Sequence, residues 1–498
     1  MTIETPTFYK VSAHAGSGKT YSSHLSIKRN PGKYTIATQT NGLSEQQKDD
    51  LAELGIKARV ISLKNNKEKT CTEQYVRHCK DLRTSVAIVN QKVALQALYQ
   101  TIADEQVSVT IDQHLIVDEF PSPVEKFVLN EGVSGTRAFL ANLIVAEKCE
   151  YADYLEVIAT DEMAAHAELG KQNSTLHDHV IQICKLSVSK HHRVFVSKTN
   201  YENFSSGLSD EEGMSPDDEN SKQRLTLYAW LQPSILSGYK SVTFMGANFE
   251  YQKLFYYWRD KVNWLPHPEI KGERYDDFAH KAPLIEFQHM NEDGITSWNY
   301  LYKKVGYDGF KESLAETIEK EYPGQKYLVT LSAKDDGYWS SPNGTVLSPN
   351  PVGINAFQDH HIGVHIAPLN PSDMDNKIWE AVAGVSKAQL MVSQAIEMQY
   401  QAFTRTAVRD GKRYKEGEKP KPLVFVTLDL ALANVLREIF GVDKPSRLLV
   451  VPALTEYVKP KRKTRSDKKT DEEKRANKNE WQRKKRAAAK AAALEIRA

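Results

Sequence analysis

The residues Ala13-His14-Ala15-Gly16-Ser17-Gly18-Lys19-Thr20 have the types and spacing to hold a phosphate chain. They follow a short apolar run, Phe8-Tyr9-Lys10-Val11. A strand that ends in a Gly-rich turn and opens a helix points several backbone N–H groups and the positive helix end at one spot. Ala15, Gly16, Ser17, Gly18, Lys19 and Thr20 are therefore the expected phosphate-binding residues, with Lys19 reaching the β- and γ-phosphates of ATP and the Thr20 hydroxyl on Mg²⁺. The pattern departs from G-x-x-x-x-G-K-[ST] only at its first position, where Ala13 stands for Gly.

Further along, the apolar run Leu115-Ile116-Val117 delivers Asp118 and Glu119 at the C-terminal end of a buried strand, where open α/β sheets bind ligands. Asp118 is expected to share the Mg²⁺ with Thr20, and Glu119 to polarise the water that attacks the γ-phosphate. A third set, Gln401, Arg405 and Arg409, falls on one face at helical spacing.

The elements that must position these groups follow from the pattern of the chain. Tyr34–Thr38, Val60–Leu63 and Val86–Val89 read as buried strands separated by helical stretches, the alternation of a parallel sheet. Residues 136–198 carry mostly helical periodicity, as in Phe139-Leu140 with Leu143-Ile144 and Tyr154-Leu155 with Val157-Ile158. An acidic run with Gly and Ser, 205–222, reads as a mobile loop. A second α/β unit begins near Ala282, with strands at Pro283–Phe287, Tyr327–Ser332, Gly363–Pro368 and Leu423–Leu428, and a long helix from about Lys377 to Arg409. The expected division is 1–278 with a helical insertion at about 130–235, then 279–445, then a basic, helical or disordered tail at 446–498.

Composition narrows the class. The chain has 498 residues, 40% hydrophobic and 26% charged, which fits a multidomain globular protein. No apolar run is long enough to span a bilayer and the N-terminus lacks the pattern of a signal peptide, so no membrane partner and a cytoplasmic location are expected. Cys71, Cys79, Cys149 and Cys184 show no zinc-ligand spacing. Asp359, His360, His361 and His365 read as polar residues entering a strand, and the aromatics Tyr251 to Trp258 as a helix face packed on a sheet. Trp339 reads as a loop residue able to stack on a base. The net charge of +2 hides an asymmetry, because Lys459 to Lys490 holds fifteen Lys or Arg against five Asp or Glu. Lys461, Arg462, Lys463 and Arg465 in that segment are expected to meet nucleic-acid phosphates.

The order of these islands resembles the superfamily 2 helicases, DEAD/DEAH-like, in the divergent form found in phages and mobile elements. Ala13–Thr20 is similar to motif I, Ile36–Gln46 to motif Ia, Asp118-Glu119 to motif II, Thr243–Asn248 to motif III, Gly353-Ile354-Asn355 to motif V and Gln401–Arg409 to motif VI. The resemblance implies two RecA-like parallel-sheet domains that hydrolyse ATP at their interface, with Mg²⁺, to move along or unwind nucleic acid, DNA ahead of RNA. It implies that Thr38, Thr40 and Asn41 contact the nucleic-acid backbone, that Gly353, Asn355 and Gln401 add to the ATP site, and that Arg405 and Arg409 act on the γ-phosphate. It also implies a replication or repair protein as partner through the insertion or the tail. Phe120-Pro121 after the acid pair, and the lack of a Ser-Ala-Thr motif III, depart from the family pattern. A duplex-translocating packaging or remodelling ATPase and a nucleotide-gated nucleic-acid-binding switch remain as alternatives.

Overall fold

A computed structural model describes residues 5–63, 70–80, 85–100, 110, 112–130, 134–173, 178–206, 224–272, 281–292, 301–332, 335, 337–347, 357–368, 370–409 and 420–455. The chain first lays down β1 (Thr7–Ser12), β2 (Lys33–Thr38), β3 (Ala58–Val60), β4 (Val86–Asn90) and β5 (Gln113–Asp118). It leaves for β6 (Val124–Asn130), β7 (Ala146–Lys148), β8 (Tyr154–Val157), β9 (His192–Ser197) and β10 (Arg224–Leu231), then returns with β11 (Ser241–Gly246) and β12 (Asn263–Pro266). The returning strands complete a seven-stranded parallel sheet in the order β12-β1-β11-β5-β2-β4-β3. Its central strands are apolar on both faces because helices cover both; Val86, Ala87, Ile88 and Val89 are all fully buried.

A second parallel sheet holds β13 (Ile285–Asn291), β14 (Tyr327–Thr330), β15 (Gly344–Leu347), β16 (Ile362–His365), β17 (Leu423–Asp429) and β18 (Arg447–Leu448) in the order β15-β14-β16-β17-β13-β18. The protein is thus mixed α/β with two RecA-like parallel-sheet domains. The segments that follow β1 and β5 at the C-terminal edge of the first sheet meet the second domain, and both expected catalytic segments lie there.

Four expectations need correction, the first being that a tail begins at 446: Arg447–Leu448 is β18 of the second sheet, and Leu449 and Val451 are buried in that domain's core. The insertion is not simply helical: helices Ser134–Leu143, Asp161–Asn173, Asp178–Val188 and Lys198–Ser206 pack on a five-stranded antiparallel sheet, β6-β10-β9-β8-β7, that begins at Val124. Its strands escape notice because β10 is buried on both faces and does not alternate, with Leu225, Leu227 and Trp230 all inaccessible. The helix expected over 377–409 is also interrupted. Asp373–Ala383 stops at Gly384, whose φ of 61° is left-handed. Ser386 then caps a new helix that runs through a π-turn at Val392–Ile396 and ends at Phe403. Trp339, expected in a loop, is a core residue whose indole N–H donates to the Tyr327 hydroxyl at 2.8 Å. Most of the acidic run 205–222 lies outside the described residues.

The two domains share packing rather than merely touching. Ile378, Trp379, Val385 and Leu390, from the connection between β16 and β17, belong to the apolar core of the first domain, where Trp379 meets Trp230 with ring centroids 4.8 Å apart. Lys126 and the Tyr228 hydroxyl both bond the Asp375 carboxylate, at 2.8 and 3.1 Å. Among the described residues no helix is long and apolar enough to cross a membrane.

Candidate active site

The turn after β1 is set by two glycines. Gly16 and Gly18 have φ of 82° and 90°, a region costly for any residue with a Cβ, and Gly18 is the N-cap of α1 (Lys19–Arg29). No side chain caps α1, so its first N–H groups remain aimed at the turn. Lys19 is buried, and its Nζ donates to the carbonyl oxygens of Ala13 at 2.7 Å and His14 at 2.9 Å. Burial lowers its pKa, against which Glu119 and Asp118 pull upward. Ser17 is buried beneath Gly272, where a Cβ would run into Ala13 and come within 2.7 Å of Ser17 Oγ. The segment joining the domains is thereby pressed against the phosphate-loop residues, and Lys271 N–H fixes it to Ser22 Oγ at 3.1 Å.

Strand β11 separates β1 from β5, so the acid pair at the end of β5 faces the turn across one strand. Thr20 Oγ1 donates to Asp118 Oδ2 at 3.5 Å, and Gln47 Nε2, from α2 (Asn41–Glu53), donates to the same oxygen at 2.5 Å. Burial first, and then the charge of Glu119, push the Asp118 carboxyl up to about 7. Glu119 itself has φ of 70°, unusual for a residue with a side chain. Its N–H donates to Met245 O at 2.8 Å, and Gln91 Nε2 donates to the carbonyls of both Asp118 and Glu119. These bonds hold a backbone turn that sends Asp118 and Glu119 toward one cavity.

The second domain closes that cavity. Tyr400, fully buried, accepts the Ala15 N–H on its hydroxyl at 3.0 Å. Arg409 lies over Gly16 so closely that a Cβ there would sit 2.7 Å from its Nε. Arg405 donates to Gln401 Oε1 at 3.1 Å, and burial followed by repulsion from Arg409 lowers its pKa to about 10. Ala15, Gly16, Gly18, Lys19, Thr20, Asp118, Glu119, Gln401, Arg405 and Arg409 line one cavity of about 270 Å³. Leu43, Gln46, Gln47 and Asp50 of α2 complete its wall.

Of the residues expected to meet nucleic acid, Thr40 and Asn41 are exposed at the start of α2, whereas Thr38 is fully buried and its hydroxyl is 2.6 Å from Ser44 Oγ. Thr38 therefore serves the fold of that turn and not a passing strand. Gly353, Asn355, Lys461, Arg462, Lys463 and Arg465 lie outside the described residues. Asp359 and His360 bond each other at 2.7 Å, and His365 is buried in β16.

Sequence reasoning missed four contributors: Gln47, Gln91, Glu397 and Tyr400. A signal existed for the last two, because Tyr400 precedes Gln401 and Glu397 lies one helical turn before it. The donor set suits Mg²⁺: Thr20 Oγ1 and Asp118 Oδ2 converge, both are hard oxygens, and Mg²⁺ takes one or two protein oxygens and completes its shell with water and phosphate.

No protein-family model and no curated protein sequence matches the chain. Among solved structures, the chain is similar to the DUF1998 helicase MrfA bound to DNA and AMPPNP, at 12% identity and a TM-score of 0.31, over 89% of this chain and 50% of that one. The chain therefore spans half the length of MrfA. A further MrfA structure matches at 11% identity and a TM-score of 0.30, over 87% of this chain and 48% of that one. S. cerevisiae Dbp5 bound to RNA and ADP BeF3 matches at 10% identity and a TM-score of 0.36, over 91% of this chain and 88% of that one.

Proposed function

We propose that the interdomain cavity binds ATP and hydrolyses it, and that the protein is a nucleic-acid-dependent helicase or translocase. One observation carries the ATPase reading: Lys19 of the phosphate turn and Arg405 and Arg409 of the second domain line the same cavity as Asp118 and Glu119. Lys19 leaves its two carbonyl partners for the β- and γ-phosphates, and the N–H groups of 15–20 cradle the chain. Thr20 and Asp118 would hold Mg²⁺, which neutralises charge on the phosphates when bound. Glu119 orients the attacking water and accepts its proton. Arg405 and Arg409 meet the charge that develops on the transferred phosphoryl group.

Because the cations come from opposite domains, ATP bridges them and phosphate release removes the bridge. Such opening shifts the surfaces that border the cavity, and Thr40 and Asn41, exposed at the start of the helix that walls it, stand on one of them. The basic segment 459–490 supplies an electrostatic hold on a polyanion. The test is ATP hydrolysis by the purified protein alone and with single-stranded DNA, duplex DNA or RNA, beside Lys19→Ala and a chain ending at Val458. Stimulation by one polymer that vanishes in Lys19→Ala supports the motor and identifies its track. Hydrolysis indifferent to every polymer rejects the nucleic-acid half of the reading, and no hydrolysis rejects both halves.

A further inference from the structure

Between the acid pair and the arginines runs a chain of hydrogen bonds that crosses the domain boundary, and its central member is Glu397. Asn248, two residues past the end of β11 in the first domain and with a left-handed φ of 53°, donates from Nδ2 to Glu397 Oε2 at 3.2 Å. The other oxygen of Glu397 accepts from Gln401 Nε2 at 2.9 Å. Gln401 Oε1 in turn accepts from Arg405 at 3.1 Å. On the far side, β11 carries the Met245 carbonyl that accepts the Glu119 N–H. The covalent strand and three side-chain bonds therefore connect the water-orienting acid to an arginine of the other domain.

The orientation of each amide along this path is dictated by the carboxylate. Once ionised, the Glu397 carboxylate only accepts, so in that form it forces both Asn248 and Gln401 to present their NH₂ groups. With its NH₂ turned to Glu397, Gln401 has only its oxygen left, and that oxygen is what a guanidinium needs. An amide at position 397 would keep one bond and set a donor against a donor in the other. From this geometry we infer that Glu397 is a positioning residue: it fixes the Gln401 amide so that Arg405 points into the cavity, and it ties that arrangement to the end of β11. The inference rests on the ATPase reading for its catalytic consequence and on the hydrogen bonds alone for its structural one.

The experiment has two arms, both run on the full chain. In the first, steady-state ATP hydrolysis is measured for Glu397→Ala, Arg405→Ala and the double variant. Glu397→Ala is expected to lower kcat about 10- to 100-fold with KM for ATP within about 3-fold, and the double variant to be no slower than Arg405→Ala. Glu397→Asp, which keeps two acceptors on a shorter stem, should recover part of the loss, and Glu397→Gln should not. Multiplying losses in the double variant, or full activity in Glu397→Gln, would overturn the positioning role.

In the second arm, thermal unfolding is followed for Asn248→Ala, Glu397→Ala and their double variant, which needs no activity. The double variant is expected to melt no lower than the worse single one, as for two ends of one bond. Additive shifts would mean that the interdomain link is absent, even if the wild-type chain hydrolyses no ATP. Hydrolysis by wild type therefore judges the ATPase reading, whereas the melting cycle judges the link.

Discussion

On the first-domain side of the cavity, the contacts come from backbone held in fixed conformations: Gly16 and Gly18 at positive φ, the open start of α1, and a Glu119 turn pinned by Met245 and Gln91. On the second-domain side they come from long side chains, Tyr400, Arg405 and Arg409, that reach across the junction. Backbone donors cost nothing to hold in place once the turn has folded, whereas each long side chain must be ordered by its neighbours. On the ATPase reading proposed above, the first side binds phosphate whatever the domains do. The second can act only when they close, which is what a conformational cycle driven by ATP requires.

The largest effect should follow from removing the reaching half. Arg405→Ala is expected to lower kcat roughly 10³- to 10⁵-fold, the usual worth of an arginine on a transferring phosphoryl group, while ATP binding followed by stopped-flow fluorescence persists. Lys19→Ala should reverse that pattern, losing ATP affinity as well as about 10²- to 10³-fold in rate. If both variants failed equally to bind ATP, the division of labour between the two sides would be wrong.

Where the halves touch, smaller effects are expected. Gly16→Ala places a Cβ against Arg409 on a residue at φ of 82°, so a loss on the order of 1–2 kcal/mol, roughly 10-fold in hydrolysis, should appear. Pairing Gly16→Ala with Arg409→Ala relieves the clash but not the backbone strain. Tyr400→Phe removes one hydrogen bond to Ala15 N–H, and about 1 kcal/mol, or 5-fold in the ATP concentration needed for half-maximal rate, should go with it.

The same contrast explains how much could be read from the chain before its structure. The phosphate turn was legible because eight consecutive residues define it. Asp118 and Glu119 were legible because an apolar strand carrying acids at its end is a local pattern. The partner of Ala15 was not, since Tyr400 is 385 positions away and nothing local to either residue reports the other. Glu397 looked like any helix-surface glutamate. The insertion deceived for a different reason: β10 at its centre, buried on both faces, has no period to separate it from helix. Gly384 and Ser386 stand in the sequence as a stop and a restart, but apolar spacing over 377–409 runs across both.

The smallest expected effect separates the cavity from the rest of the molecule by pH. Asp118 and Glu397 are both raised to about 7, by burial first and then by Glu119. Below pH about 4 they are protonated whether the chain is folded or not. Between about 4 and 7 the folded protein keeps protons that the unfolded chain releases, so stability falls as pH rises through 7. Buried histidines elsewhere oppose this: burial lowers His24 to about 4 and His192 and His365 to about 3. Unfolding protonates them below about 6.5, so their contribution is complete above that pH and fades as pH falls. The melting temperature should therefore pass through a maximum near about pH 6–7 and decline toward pH 8. The decline belongs to the cavity. In Asp118→Asn it should flatten while the acid limb, which Asp118 opposes between about pH 4 and 6.5, steepens, and saturating ATP with Mg²⁺, which selects the ionised carboxylate, should flatten the decline in the wild-type chain. A decline unchanged in Asp118→Asn and Glu397→Gln alike would show that the acids of the cleft ionise as freely as surface ones, and that the first-domain side is more open to water than its packing implies.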